Sequence, residues 1–82
     1  MTDKELLGRI TIDPGVVVGK PVIRDTRLSV EFIVGLLAHA TTIEEIVAEY
    51  PGLTADDVHA CLLFASKALE STTFGPLPSA VA

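Results

Sequence analysis

The feature that most constrains the fold is a change in the spacing of hydrophobic residues at Ser29. Before it, polar and β-branched residues alternate over residues 9–13, a turn signal follows at Pro14-Gly15, and a second short apolar stretch begins at Val22. A period of two is typical of strands, so this part predicts a β-hairpin. After Ser29 the apolar residues recur about every 3.6 positions, which predicts amphipathic helices.

Three helices are predicted from their first residues. Ser29 is a candidate N-cap, and Thr42 and Thr54 are each followed three residues later by an acidic side chain, which is typical of a capping box. Pro51-Gly52 ends the second helix after Tyr50. The expected core faces are Phe32, Ile33, Leu36, Leu37 and Ala40 in the first helix, Ile43, Ile46, Val47 and Tyr50 in the second, and Val58, Cys61, Leu62, Ala65 and Leu69 in the third. The predicted fold class is therefore mainly α: a three-helix, helix-turn-helix-like bundle preceded by a short N-terminal β-hairpin.

The chain has room for one domain, because it has 82 residues. Its content of 49% hydrophobic residues is too high for a disordered chain. No apolar run approaches the roughly 20 residues that span a bilayer, and the first residues do not resemble a signal peptide, so we expect a cytoplasmic protein without membrane contact. The predicted domain covers 1–71, and an extended apolar tail covers 72–82. A domain this small is marginally stable alone, so we expect it to associate with a partner.

The charges are distributed unevenly. Residues 1–27 hold five basic and four acidic side chains, whereas residues 28–82 hold one basic and seven acidic ones, within a net charge of −5. Any contact with nucleic acid should therefore come from the N-terminal third. The candidate DNA-binding residues are Arg9, Lys20, Arg24 and Arg27. The acidic remainder suits a basic protein partner.

The segment from Gly19 to Val30 allows two interpretations. In the first it is a structured connection, in which the Asp25 side chain closes an Asx-type turn and Arg24 and Arg27 pair with nearby carboxylates. In the second the two arginines lie on an exposed edge and bind phosphate or acidic groups.

Candidate partner-binding residues lie in and after the third helix. At 100° per residue Leu63 falls among polar side chains and Phe64 lies at the edge of that side, so they are either ordinary exposed residues or part of a contact surface. Phe74, Leu77 and Val81 lie in a tail that has no charged side chain, and they could insert into a groove of a partner as apolar anchors.

No catalytic or metal-binding pattern is evident in the sequence. His39 and His59 fall on different helices, and His59 and Cys61 point about 200° apart on one helix, so they do not chelate one metal. Cys61 is expected on the buried face as an inert thiol. The glycines form no phosphate-binding loop. We expect no cofactor and no enzymatic activity.

Four segments of the chain match a known family signature: Ile12-Asp13-Pro14, Gly19–Arg24, Thr26-Arg27 and Val30. The chain resembles the family of domains of unknown function numbered four hundred and thirty-three. Further matches are Ile43–Ile46, Tyr50-Pro51 and Leu53-Thr54, so the resemblance covers about residues 9–66. Asp25 stands where the family has Gly, and it tolerates a left-handed backbone. Ser29 stands where the family has Pro, which replaces a rigid helix start with an N-cap.

The resemblance implies a small homodimeric domain. Many members look like antitoxins that bind and silence a PIN-like ribonuclease toxin encoded beside them, and in similar systems the antitoxin dimer also represses its own operon by binding operator DNA. Two other functions stay open: a stand-alone DNA-binding transcriptional regulator, and a structural homodimerisation module.

Overall fold

The computed structural model of the chain describes residues 1–13, 15 and 19–70. Within them it contains, in chain order, the helix α1 (Asp3–Leu7), the strands β1 (Ile10–Ile12) and β2 (Pro21–Ile23), and the helices α2 (Val30–Ala38), α3 (Ile43–Glu49) and α4 (Ala55–Glu70). The prediction of a mainly helical domain with an N-terminal β-hairpin is confirmed. The predicted tail over 72–82 lies outside the described residues.

The hairpin is held by two short antiparallel strands. Ile10 pairs with Ile23, and Ile12 pairs with Pro21. Val22 and Ile23 are buried, and β2 packs against α2 while β1 packs against α4. Two isolated strands are not stable in water, so this packing on helices is what fixes the hairpin.

Helix α1 was not predicted. The prediction of three helices is therefore wrong, because the described residues form four. It begins with a capping box, in which the Thr2 side chain accepts from the Glu5 backbone N–H and the Glu5 carboxylate accepts from the Thr2 N–H. Its five residues are too few to show a hydrophobic period, although the Thr-x-x-Glu pattern was a usable signal. The helix packs against α4, which covers a side of α4 that the sequence left open.

The predicted caps of the longer helices are confirmed. The Ser29 side chain accepts from the Phe32 N–H at 3.0 Å, and Thr42 forms a capping box with Glu45. Thr54 and Asp57 exchange the same reciprocal hydrogen bonds at the start of α4.

The core lies where α2, α3 and α4 meet β2. Its buried hydrophobic residues are Ile23, Val30, Ile33, Ile46, Leu53, Val58 and Cys61. Leu36, Leu37, Ile43 and Tyr50 pack around it, half-buried.

Four residues assigned to the core are exposed instead. Leu62 and Leu69 are 40% and 56% exposed, and Phe32 is 42% exposed with its ring edge-on to that of Tyr50. Ala40 lies beyond the end of α2, at φ 69°. The buried residues of α4 are instead Asp57, Val58, Ala60 and Cys61, and α1 packs against this helix. Within the described residues no helix is long and apolar enough to cross a membrane.

Candidate functional site

Arg9 is part of the internal structure of the fold. Its Nη1 lies 3.0 Å from Oδ1 of Asp57, and its Nη2 lies 3.9 Å from Oδ2 of Asp56. Asp57 is 8% exposed, and its other oxygen accepts from the Thr54 N–H at 2.9 Å. Arg9 therefore joins the start of β1 to the start of α4, and this internal ion pair makes it a weaker candidate for DNA contact.

Lys20 also forms an ion pair within the chain. Its Nζ lies 2.7 Å from Oε1 of Glu31, and both side chains are exposed. The hydrogen bond from Lys20, together with its charge, lowers the pKa of Glu31. Lys20 is thus a weaker candidate for phosphate contact than its exposure suggests.

Arg24 and Arg27 remain available to a ligand. Both are exposed, and within residues 1–13, 15 and 19–70 neither guanidinium lies at ion-pair distance from a carboxylate. The expectation that they pair with nearby carboxylates is therefore wrong for this part of the chain. The alternative, an exposed edge carrying two cations, agrees with the structure.

The turn that carries these arginines is held by Thr26. The Thr26 Oγ1 donates to the Ile23 carbonyl at 2.7 Å and accepts from the Leu28 N–H at 3.0 Å. Asp25 adopts φ 63°, a left-handed conformation that the change from Gly to Asp was expected to tolerate. The predicted Asx-type turn is wrong, because Thr26 supplies the hydrogen bonds that Asp25 was expected to supply.

An open cleft of about 500 Å³ lies between this turn and the connection from α3 to α4. Arg24, Asp25 and Thr26 line one side, and Tyr50 and the residues up to Leu53 line the other. The Arg24 side chain thus borders a concave surface as well as solvent.

A second concave surface, here called the apolar groove, lies between α2 and the C-terminal half of α4. Its volume is about 480 Å³. The groove is lined by Lys20, Pro21, Val30, Glu31, Val34, Gly35, Ala38, Phe64, Ala65 and Ala68. The sequence did not reveal it, although Gly35 inside a predicted helix was a signal for a close approach.

The candidate partner-binding residues differ in how exposed they are, and some lie outside the described residues. Phe64 is half-buried, packs against the core and lines the apolar groove. Leu63 is half-buried on α4, not exposed as the helical wheel predicted. Phe74, Leu77 and Val81 lie outside the described residues. The exposed leucines of α4 are instead Leu62 and Leu69, which were expected in the core.

The residues considered for chemistry are separate from one another. Cys61 is buried, whereas His39 and His59 are exposed, and His39 Nδ1 is hydrogen-bonded to the Gly35 carbonyl at 2.7 Å. In the described part of the chain no three His, Cys, Asp or Glu side chains are grouped so that they could hold a metal ion.

We expect the Cys61 thiol to resist alkylation and disulfide exchange in the folded protein. Burial, and to a lesser extent the charge of Asp57, raises its pKa to about 11, so at pH 8 its thiolate fraction falls about 100-fold below that of an ordinary cysteine. Reaction with Ellman's reagent should be slow for the native chain and fast in denaturant. Equal rates in the two conditions would contradict this placement of Cys61.

Comparisons with known proteins agree with the signature seen in the sequence. The family described as "Protein of unknown function (DUF433)" matches residues 10–65. The crystal structure of a DUF433 member protein from Anabaena variabilis is similar, with a TM-score of 0.73 and 36% sequence identity. The match covers 82% of this chain and 66% of that one, so this chain spans somewhat under two thirds of that protein. No match is found among curated proteins. The extent of the family match shows that the chain belongs to the DUF433 family.

Proposed function

We propose that this chain is an antitoxin-like protein that binds and neutralises a PIN-like ribonuclease toxin and regulates its own operon. The chain belongs to the DUF433 family, and this supports the proposal because the family resemblance described above implies an antitoxin-like protein. In this proposal the chain acts by covering a macromolecule and catalyses no reaction.

The observation that carries the proposal is the exposed apolar surface at the end of α4. None of residues 62–70 is buried, and Leu62 and Leu69 expose 40% and 56% of their surface. The sequence continues into residues 71–82, which contain Phe74, Leu77 and Val81 and no charged side chain. Apolar side chains that a domain leaves exposed, as Leu62 and Leu69 are, are what a groove on a partner protein binds.

The charges support a nuclease as that partner. Helix α3 carries Glu44 and Glu49 on its exposed surface and no basic residue, so it presents an acidic face. The RNA-binding surface of a ribonuclease is basic, and the two surfaces would attract each other.

Inhibition in this proposal is steric. The chain has no basic side chain after Lys67, so the segment that follows α4 has no cation to insert among the metal-binding carboxylates of a PIN-like nuclease. The apolar anchors would instead hold the domain over the entrance to the RNA-binding surface.

The proposal is tested by co-expressing the full chain with the PIN-like ribonuclease encoded beside it. We expect the pair to co-purify and growth to be restored in cells that the ribonuclease alone arrests. An unrelated PIN-like ribonuclease serves as the specificity control. Absence of both co-purification and rescue would overturn the proposal.

A second function, DNA-binding regulation without a toxin, is favoured by Arg24 and Arg27 alone. They are exposed on a turn that Thr26 fixes, and a guanidinium binds phosphate well. Helix α4 is a poor recognition helix, since Val58 and Ala60 are fully buried and its first turn is acidic. Operator contacts should therefore come from the turn and not from α4.

Replacing Arg24 and Arg27 together by Ala is expected to abolish most DNA affinity. Two copies of the chain would supply four guanidinium groups, so the affinity should fall with salt by roughly 3.6 log units per tenfold change if each neutralises one phosphate. Fluorescence anisotropy with the upstream operator region, at several salt concentrations, measures both quantities.

The matched control replaces Lys4 and Lys67 by Ala, which removes the same charge from exposed positions on α1 and α4. It should retain the wild-type salt dependence within about one log unit. Unchanged DNA affinity in the Arg24→Ala, Arg27→Ala protein would exclude this turn as the DNA-binding element.

A further inference from the structure

We propose that the cleft beside the turn from Arg24 to Arg27 binds a short acidic segment of a partner protein. The two arginines hold a carboxylate of that segment, and an apolar side chain next to the carboxylate enters the cleft. This surface is separate from the exposed leucines of α4, so the proposal does not depend on toxin binding. It assigns the arginines to a protein ligand, whereas the second function above assigns them to DNA.

The first support is that Arg24 and Arg27 form no ion pair with any carboxylate among the described residues. Those residues include all eleven acidic side chains of the chain, so the remaining positions have no carboxylate side chain to offer. Three of the other four basic side chains do pair with a carboxylate: Arg9, Lys20 and Lys67. In a chain with eleven acidic and six basic side chains, two unpaired arginines on one turn leave two guanidinium groups for an anion from outside.

The second support is that hydrogen bonds within the chain close the turn. The Ile23 carbonyl accepts from the Thr26 N–H at 3.1 Å and from the Thr26 Oγ1 at 2.7 Å. The Ile23 N–H donates to the Leu28 carbonyl at 3.0 Å, and Val22 and Ser29 form an antiparallel bridge beyond it. A preformed turn has little conformational entropy to lose on binding, so it can hold a short ligand.

The third support is the apolar lining of the cleft. Its volume of about 500 Å³ is within the range of ligand-binding sites. Ile23 and Leu53 in its lining are buried, and Leu28 and Tyr50 are half-buried. A ligand that carries only charge would leave this apolar surface in water, whereas an aliphatic or aromatic side chain beside a carboxylate contacts both the cleft and Arg24.

The charges around the cleft favour a peptide over a nucleic acid. Asp25 lies between the two arginines in the sequence, Asp57 also lines the cleft, and the chain has a net charge of −5. Duplex DNA carries one negative charge about every 1.7 Å of its axis, so it would bring several phosphates towards these carboxylates. A segment with one or two acidic side chains meets the arginines with less repulsion.

The test begins with a selection of random phage-displayed peptides of about 12 residues on the immobilised full chain. We expect the enriched peptides to contain Asp or Glu next to an aliphatic or aromatic residue. The most enriched peptide is then synthesised and titrated into the isotopically labelled chain. The backbone amide signals that shift in the NMR spectrum should be those of the cleft lining, such as Arg24, Gly52 and Leu53.

Variants of the turn test the charged contact. Arg24→Ala with Arg27→Ala should weaken binding of the synthetic peptide at least about tenfold, because the charged hydrogen bonds are lost. Asp25→Asn should strengthen binding by about threefold or more, since it removes the carboxylate between the arginines. Asn tolerates the left-handed backbone at φ 63°, so the turn should keep its conformation. A turn with a merely structural role would not give this gain.

The matched control is Lys4→Ala with Lys67→Ala, which removes the same charge from exposed positions outside the cleft. It should bind the peptide within about twofold of the wild type. Far-UV circular dichroism of each variant checks that the fold is retained.

Several results would overturn the peptide site. One is a selection that enriches no peptide, or only peptides without an acidic residue. Another is a peptide whose affinity does not change in the Arg24→Ala, Arg27→Ala protein, or that shifts signals of α4 and not those of the cleft. A labelled DNA duplex of about 20 base pairs, titrated at about 150 mM salt, tests the other anion. Arginine-dependent binding of this duplex that is tighter than binding of the peptide would assign the turn to DNA instead.

Discussion

Replacing Arg9 by Ala is expected to destabilise the domain by about 3 kcal/mol, because it leaves a mostly buried carboxylate without its cation. The side chain of Asp57 is 11% exposed, and Arg9 Nη1 lies 3.0 Å from it. A domain of 82 residues is stable by about 4–12 kcal/mol, so the loss is a large part of the total. The variant should unfold at a much lower urea concentration, with far-UV circular dichroism as the readout.

The matched control for Arg9 is Lys20→Ala. Lys20 also forms an ion pair, but both partners are exposed, so its removal should change the urea midpoint far less. Combining Arg9→Ala with Asp57→Asn should recover part of the lost stability, since the unpaired charge is then absent. Equal midpoints for Arg9→Ala and Lys20→Ala would show that the buried pair does not stabilise the fold.

The role of Arg9 could not have been predicted from the sequence. Arg9 and Asp57 are 48 positions apart, and no local pattern connects them. In the sequence, Arg9 is one of several basic residues near the N-terminus. Only the packing of α1 and β1 against α4 distinguishes it from the others. In the structure Arg9 lies within ion-pair distance of the carboxylates of both Asp56 and Asp57.

The features that were predicted correctly are local ones. The caps at Ser29, Thr42 and Thr54 depend on a side chain and a backbone N–H three residues later, so the sequence alone contains both partners. The left-handed backbone at Asp25 is equally local, because it follows from the turn in which the residue stands. Predictions of this kind do not require the tertiary packing to be known.

The face of α4 was predicted incorrectly for a physical reason. A helical wheel ranks residues by side, but it does not show which neighbouring element covers each side or where along the helix the cover ends. Helix α1, which was not predicted, packs against α4, and Ala60 of α4 is fully buried. The core ends near Cys61, so Leu62 and Leu69 remain exposed although they lie close to the apolar arc. Two leucines were thereby assigned to the interior, when their position on the surface is what supports partner binding.

The same limit applies to the apolar groove. Its lining comes from the loop before β2 and from two helices that are distant in sequence, so no single window of the sequence contains it. Gly35 was visible as a glycine inside a helical pattern. Only the packed structure shows that a Cβ at Gly35 would meet no atom of the described residues within 4 Å.

The prediction that most directly tests toxin binding is a truncation after Ser71. Because Phe74, Leu77 and Val81 are then absent, we expect affinity for the PIN-like ribonuclease to fall well over tenfold, as is usual when several apolar anchors are lost together. Isothermal titration calorimetry with a catalytically inactive ribonuclease measures the affinity, and growth rescue measures its consequence in cells.

Two further variants decide which part of the segment matters. Replacing Phe74, Leu77 and Val81 together by Ser in the full chain should reproduce the loss, whereas Thr72→Ala with Ser79→Ala, which keeps all three anchors, should bind as the wild type does. The truncated chain should keep its far-UV circular dichroism spectrum, because the buried core lies within residues 23–61, so loss of toxin binding can be separated from loss of the fold. Unchanged affinity after truncation would exclude residues 72–82 from the contact, leaving Leu62 and Leu69 of α4 to make it.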